Sequence, residues 1–282
     1  MMRRPIPATF VLAAASVLSA LVLEACGGAS SQVQGPTVEP SAMPSPAAST
    51  PLPPPTATPA PGDDGPGPIT ASCDNAAAAV SRGNSTRQMV ALTFDAGSDR
   101  GYTSQILQTL SANGIKASFS LTGVWAEANP DLVKAIADGG HLIMNHSYNH
   151  PSFTGNSTGE GPLSTQQRID QLDRADLAIR SITGRSTKPY FRPPYGDYDG
   201  SVLCDAYTAG YNYAVMWTVD TLGWNGASVD QIVQRSLSNA RPGTIYIMHV
   251  GSQSQDGPAL QRVIDGLKAQ GYSFGTIADV LR

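Results

Sequence analysis

The feature that most limits how this chain can fold is an alternation. From Met89 to the C-terminus, short apolar runs alternate with segments of helical spacing, a pattern satisfied by a mostly parallel sheet covered with helices. MVALTFD, KASFSL, HLIMN, KPYFR, YAVMWTV, TIYIMH and YSF give seven strand candidates. Between them, Ile106, Leu107 and Leu110 recur at helical spacing ahead of Gly114. Asn129, Pro130 and Gly139 are placed as N-cap, first turn and end of a second helix. Ser164 with Gln167, and Ser228 with Gln231, have capping-box spacing. Seven units over residues 89–282 fit a small or incomplete (β/α) barrel better than an open doubly wound sheet, which stays as the alternative. No glycine-rich phosphate fingerprint follows a strand, which argues against nucleotide binding.

The first part of the chain cannot share that core. Arg3 and Arg4 precede an apolar stretch from Phe10 to Leu23 and then small residues around Cys26, the pattern of an export signal over residues 1–25. The stretch is shorter than the ~20 residues of a membrane-spanning helix, so a retained anchor helix is the weaker reading. LEAC resembles a bacterial lipobox in which Cys26 becomes the lipidated first residue, although Glu24 departs from the small or apolar residue usual there. Residues 26–85 read as a Pro-rich disordered tether, because residues 36–68 alone hold 12 of the 22 prolines and almost no large apolar side chain. Residues 86–282 then form the globular domain. Formal net charge is −4, and −5 without residues 1–25, which leaves no electrostatic case for binding nucleic acid. Beyond Cys26 the chain has Cys73 and Cys204. In an oxidising compartment they are a disulfide or two unrelated buried thiols.

On this map the ionisable residues collect at strand ends. Asp95 ends the first strand, His146 and His150 follow the third, Arg192 ends the fourth, Asp220 follows the fifth and His249 ends the sixth. Strand C-terminal ends of parallel β/α folds converge on one face, where active sites are built. His146 and His150 are four residues apart, so that on one helical turn both imidazoles project to the same side and can share a metal ion. Taken alone, that spacing also suits a solvated turn. His141, at the start of its strand, reads as a packing or capping residue. Pro193 and Pro194 stiffen the backbone after Arg192 and so hold its guanidinium near a carboxylate.

TFDAG (93–97), HSYNH (146–150), RPPYG (192–196), VDTLGW (219–224) and IYIMH (245–249) occur in order along the domain, and together they resemble the polysaccharide deacetylases, the NodB-homology group of carbohydrate esterases. The resemblance implies a deformed (β/α) barrel of about seven parallel strands and metal-dependent removal of acetyl groups from amino sugars, or from O-acetylated polysaccharide in some members. It places a divalent ion, Zn²⁺ by preference, on His146 and His150, where it would polarise the acetyl carbonyl and lower the pKa of a bound water. Asp95 would be the general base, Arg192 its ion-pair partner, and His249 the general acid for the leaving amine. The N–H of Tyr195 would stabilise the oxyanion, with Trp224 and Ile247 lining the acetyl pocket. Trp125, Tyr148, Tyr195 and Trp224 are the aromatic candidates for stacking on sugars.

Two positions depart from the family pattern. Ala96 stands where a second aspartate usually ligates the metal, and Gly223 where an aspartate beside the tryptophan usually supports the catalytic histidine. At the first, Asp99 is the candidate substitute ligand and water the alternative. Family members that vary there include envelope deacetylases of muramic-acid processing. The expected protein is a monomeric hydrolase of the bacterial cell envelope, lipid-anchored outside the cytoplasm, acting on peptidoglycan or a chitin-like polymer. An O-acetyl xylan esterase and a catalytically weakened glycan-binding lipoprotein are the alternatives.

Overall fold

A computed structural model describes residues 73–282. The export signal, Cys26 and residues 26–72 of the tether lie outside the described residues. Nine strands and eight α-helices follow one another as β1 (Ala78–Val80), β2 (Met89–Ala96), α1 (Thr103–Ala112), β3 (Ser118–Leu121), α2 (Gly123–Ala128), α3 (Pro130–Asp138), β4 (Leu142–Asn145), α4 (Thr165–Thr183), β5 (Tyr190–Phe191), α5 (Gly200–Thr208), β6 (Tyr213–Val215), β7 (Val219–Asp220), α6 (Val229–Ser238), β8 (Ile245–His249), α7 (Asp256–Ala269), β9 (Ser273–Phe274) and α8 (Ile277–Val280). The strands are parallel in the order β1-β6-β5-β4-β3-β2-β8-β7, with β9 added to the start of β2. This is the incomplete barrel expected from the alternation.

Two boundaries differ from the sequence reading. Residues 73–85, assigned above to the tether, belong to the fold. Ala77 is buried, β1 pairs with β6, and the disulfide Cys73–Cys204 fastens the segment to α5. The segment is too short and too alanine-rich to announce a strand, and it is ordered by what it joins. YAVMWTV is two strands, because Met216 to Thr218 pass between the pairing of β6 with β5 and that of β7 with β8.

Strand alternation explains how the layers fill. Along β2, Val90, Leu92, Phe94 and Ala96 join the apolar cluster beneath α1, α3 and α7, whereas Ala91 belongs to a cluster with Met144, Val215, Ile245, Ile277 and Val280. Thr93 and Asp95 share the face of Ala91, two and four residues on. Hence one face of β2 builds the core and the other carries polar groups toward the rim. Both capping boxes form, at Ser164–Gln167 and Ser228–Gln231. Asn129 occupies the N-cap position of α3 without capping it; its amide instead donates to Trp125 O and accepts from Arg100.

His141 packs as expected. It lies edge-on to Phe119, and its Nδ1 accepts the Ala117 N–H at 3.1 Å. Burial, with Lys116 nearby, lowers its pKa to about 4. A histidine depressed below its unfolded value favours the fold while neutral, so its contribution is complete above about pH 6.5 and is lost as pH falls toward 4. The difference in unfolding free energy between wild type and His141→Gln should therefore be constant above pH 7 and shrink through that window; a pH-independent difference would contradict this. Replacing both Cys73 and Cys204 with serine should cost about 2–4 kcal/mol in urea unfolding, and unchanged midpoints would show that the cross-link contributes nothing.

Candidate active site

The polar rim is organised around one buried cation. Arg192, directly after β5, is wholly buried. Its Nη1 donates to Asp95 Oδ1 at 2.6 Å, Nη2 to Thr93 Oγ1 at 2.8 Å, and Nε to the Val215 carbonyl at 2.9 Å. The guanidinium thus ties β2 to β6 while standing on β5. Burial alone would raise the Asp95 pKa, but the Arg192 guanidinium beside it holds the carboxyl below its ordinary value.

The second oxygen of Asp95 faces a histidine. His146 Nδ1 lies 2.9 Å from the Arg192 carbonyl oxygen; a carbonyl only accepts, so Nδ1 carries the proton and Nε2 has the free lone pair. Nε2 is 3.5 Å from Asp95 Oδ2. Burial lowers the pKa of His146, and that of His150 to about 3, with the neighbouring His146 adding to the effect on His150. Both imidazoles are therefore neutral, the form that binds metals. Their rings meet edge-to-face with centroids 4.7 Å apart, not across the helical turn that their spacing suggested but across a loop in which Ser147 and His150 have left-handed backbone.

Two facing acceptors, Nε2 and Oδ2, beside a second neutral imidazole fit a divalent cation. The remaining protein donor is missing. Ala96 is wholly buried among apolar side chains, and among the described residues no three His, Cys, Asp or Glu, with Asp95, His146 and His150 included, are drawn close enough to form a closed metal site as they stand. Asp99 does not supply the donor here. It is exposed, and its carboxylate accepts from the backbone N–H of Ser252 at 2.8 Å and from the Ser252 hydroxyl.

The loops around these groups are strained. Among the described residues, the non-glycine positions with left-handed backbone are Ser147, His150, Tyr195 and Leu222, each costing roughly 1–3 kcal/mol. All four follow β4, β5 or β7 at the rim. Local bonds hold them: Ser147 N–H to Asn145 Oδ1, His150 N–H to Ser147 Oγ, and Leu222 N–H to Asp220 Oδ1. Tyr195 turns just after Pro193 and Pro194 and packs on His150 at 4.6 Å.

His249 ends β8 directly opposite Asp95 in the sheet register. Trp224 lies over it with ring centroids 6.2 Å apart, and Tyr195 and Trp224 are 49% and 41% exposed, flanking the rim with aromatic surface. Ile247 is buried two residues earlier on β8. Trp125 is enclosed, its indole donating to Asp99 O, so it cannot stack on a ligand. Tyr148 is partly covered by the Arg174 guanidinium.

Thr93 opens the TFDAG motif and shares a strand face with Asp95, but the motif alone assigns it no role; two further contributors lie outside the five motifs. Asn145, which shapes the His146 turn, and Asp256, which accepts the His249 N–H at 2.9 Å, carry no local signal. Because Arg192 leaves its partner stranded when removed, Arg192→Met should destabilise the fold by about 3–5 kcal/mol in urea unfolding. A loss under 1 kcal/mol would show that Asp95 is solvated in spite of its burial.

Comparison with known proteins agrees with this geometry. A polysaccharide deacetylase family model matches residues 82–214. The peptidoglycan-N-acetylmuramic acid deacetylase PdaA of Bacillus subtilis is 33% identical over 202 residues, covering 71% of this chain and 73% of that protein. A peptidoglycan-N-acetylglucosamine deacetylase of Bacillus cereus is 34% identical over 196 residues, covering 68% of each. Among solved structures, that of Bacillus subtilis PdaA, a family 4 carbohydrate esterase, superposes with a TM-score of 0.65 at 32% identity, covering 72% of this chain and 84% of that one. A family 4 pseudoenzyme from Bacillus anthracis, in a mutant with restored enzymatic activity, superposes with a TM-score of 0.67 at 33% identity, covering 74% and 73%. With the five motifs gathered on one rim of the expected barrel, this chain belongs to the polysaccharide deacetylase family.

Proposed function

We propose that the protein is an N-deacetylase of peptidoglycan, held by a lipid on Cys26 at the outer face of the cytoplasmic membrane and reaching its substrate on the Pro-rich tether. The observation that carries this reading is the Asp95 carboxylate. One oxygen is neutralised by Arg192, the other is free toward His146 Nε2, and His249 stands opposite on the next strand. Likeness to peptidoglycan deacetylases supports the substrate class.

The chain's own groups divide the work. Asp95, kept ionised by Arg192, takes a proton from the attacking water as general base. The Tyr195 N–H, aimed by its left-handed turn, donates to the oxyanion of the tetrahedral intermediate. His249 protonates the leaving amine, which an amide requires because the amide anion leaves poorly. Trp224 and Ile247 enclose the acetyl methyl. A divalent ion, Zn²⁺ by its preference for imidazole nitrogen, would be held by His146 and His150 and would supply Lewis-acid polarisation and a more acidic water.

A second reading has its own support. Ala96 removes a ligand, and one similar structure is that of a pseudoenzyme, so a glycan-binding lipoprotein with little turnover is the competing function. Acetate release from purified peptidoglycan, chitooligosaccharides and acetylxylan, with Zn²⁺ supplied, separates the two. Release should be greatest from peptidoglycan and fall about 10²–10⁴-fold in Asp95→Asn. No release from any of the three substrates, with binding retained, selects the binding protein, and acetylxylan as the best substrate would replace the N-deacetylase with an O-esterase.

A further inference from the structure

Gly223 occupies the place where the family pattern leads one to expect a carboxylate supporting the catalytic histidine, yet that space is filled. A Cβ built on Gly223 would lie 2.6 Å from Ser254 Oγ and 2.7 Å from both Cγ and Oδ1 of Asp256. The backbone at Gly223 is not left-handed, so crowding and not backbone conformation keeps the position glycine. What crowds it is another carboxylate.

Asp256, the first residue of α7, is wholly buried. Its Oδ2 accepts the backbone N–H of His249 at 2.9 Å and the Ser254 hydroxyl at 2.8 Å, and it lies 4.0 Å from His249 Nδ1. Two buried polar atoms here, His249 Nδ1 and Asp256 Oδ1, have no hydrogen-bond partner. Unpaired buried polar atoms are costly, and a ring N–H on His249 Nδ1 is the natural donor to the Asp256 carboxylate, which approaches it through Oδ2 at 4.0 Å. The ring is 28% exposed and Nδ1 is its buried nitrogen, which turns Nε2 toward the cleft. Catalytic hydrogen bonds are commonly long without substrate and shorten in the reacting complex.

We propose that Asp256 is the positioning residue for His249, delivering from the start of α7 the carboxylate that Gly223 cannot supply. It fixes the proton on Nδ1 and so leaves Nε2 as the nitrogen that exchanges a proton with the substrate. The loss of an acidic side chain at position 223 and the presence of one at 256 are then one change, because the two cannot share the space. The inference rests on the deacetylase reading for the role of His249.

The test is a relocation of the carboxylate. Asp256→Asn keeps an oxygen acceptor for the His249 N–H and removes the charge; kcat for acetate release should fall about 10–100-fold, as for other residues that orient a functional group, with KM unchanged. Gly223→Asp alone should lower the thermal midpoint through crowding. Gly223→Asp combined with Asp256→Ala, which opens the space, should recover kcat to within about tenfold of wild type and well above Asp256→Ala alone. The ¹⁵N chemical shifts of the His249 ring give a readout that needs no turnover: Nδ1–H in wild type and in the double variant, Nε2–H or a mixture in Asp256→Asn. Wild-type kcat in Asp256→Asn, or no gain in the double variant over Asp256→Ala, or a ring tautomer indifferent to Asp256, overturns the proposal. Absence of acetate release by wild type would instead overturn the deacetylase reading, and the ring tautomer would still decide whether Asp256 orients His249.

Discussion

The site depends on the Arg192–Asp95 pair, a buried contact that joins strands of the barrel interior to the rim chemistry. A guanidinium with no exposed surface is tolerated only when its donors are satisfied, and here a carboxylate, a threonine hydroxyl and a backbone carbonyl on two other strands satisfy them. The same geometry splits the two oxygens of Asp95 between different tasks. Oδ1 is committed to Arg192; Oδ2 is left facing a neutral imidazole whose proton is fixed on the far nitrogen by the Arg192 carbonyl. Arg192 therefore sets the charge of Asp95 through its side chain and the tautomer of His146 through its backbone. One residue presents both acceptors to the same point.

Strain is distributed in keeping with that role. The non-glycine left-handed residues lie in the loops that leave β4, β5 and β7, where side chains must turn back over the strand ends. Asparagine, serine and aspartate bonds to the backbone amides hold three of those turns, and two consecutive prolines precede the fourth. The core of strands and helices can be repacked by any set of apolar residues of suitable volume. The rim turns have no such freedom.

This contrast accounts for what could be read from the sequence. Strand ends, capping boxes and the Asp-His-His-Arg-His series were legible because each depends on a local pattern: alternation, cap spacing, or a polar residue closing an apolar run. β1 was not, since three residues of Ala-Ala-Val acquire strand structure only by pairing with β6 and through the disulfide to α5. The break between β6 and β7 was hidden for the related reason that Met216 and Trp217 are as apolar as a strand interior. Asp256 and Asn145 act on residues of the rim through contacts whose meaning appears only once the loops are folded. Asp99 shows the converse: proximity in sequence to Ala96 suggested a ligand, but its loop faces Ser252.

The two departures from the family pattern have different physical characters. At Gly223 the space a side chain would need is filled by another carboxylate, that of Asp256, which lies 4.0 Å from His249 Nδ1. At Ala96 nothing takes over. Its methyl belongs to the cluster containing Phe94 and Leu121, and among the described residues Asp95 is the one carboxylate within ion-pair distance of either His146 or His150. The burden there falls on Asp95 Oδ2, the acceptor already facing His146 Nε2. On the proposed mechanism a carboxylate that both attracts a cation and takes a proton must stay ionised under competing demands, which would give the full burial and multiple bonding of Arg192 a reason beyond stability.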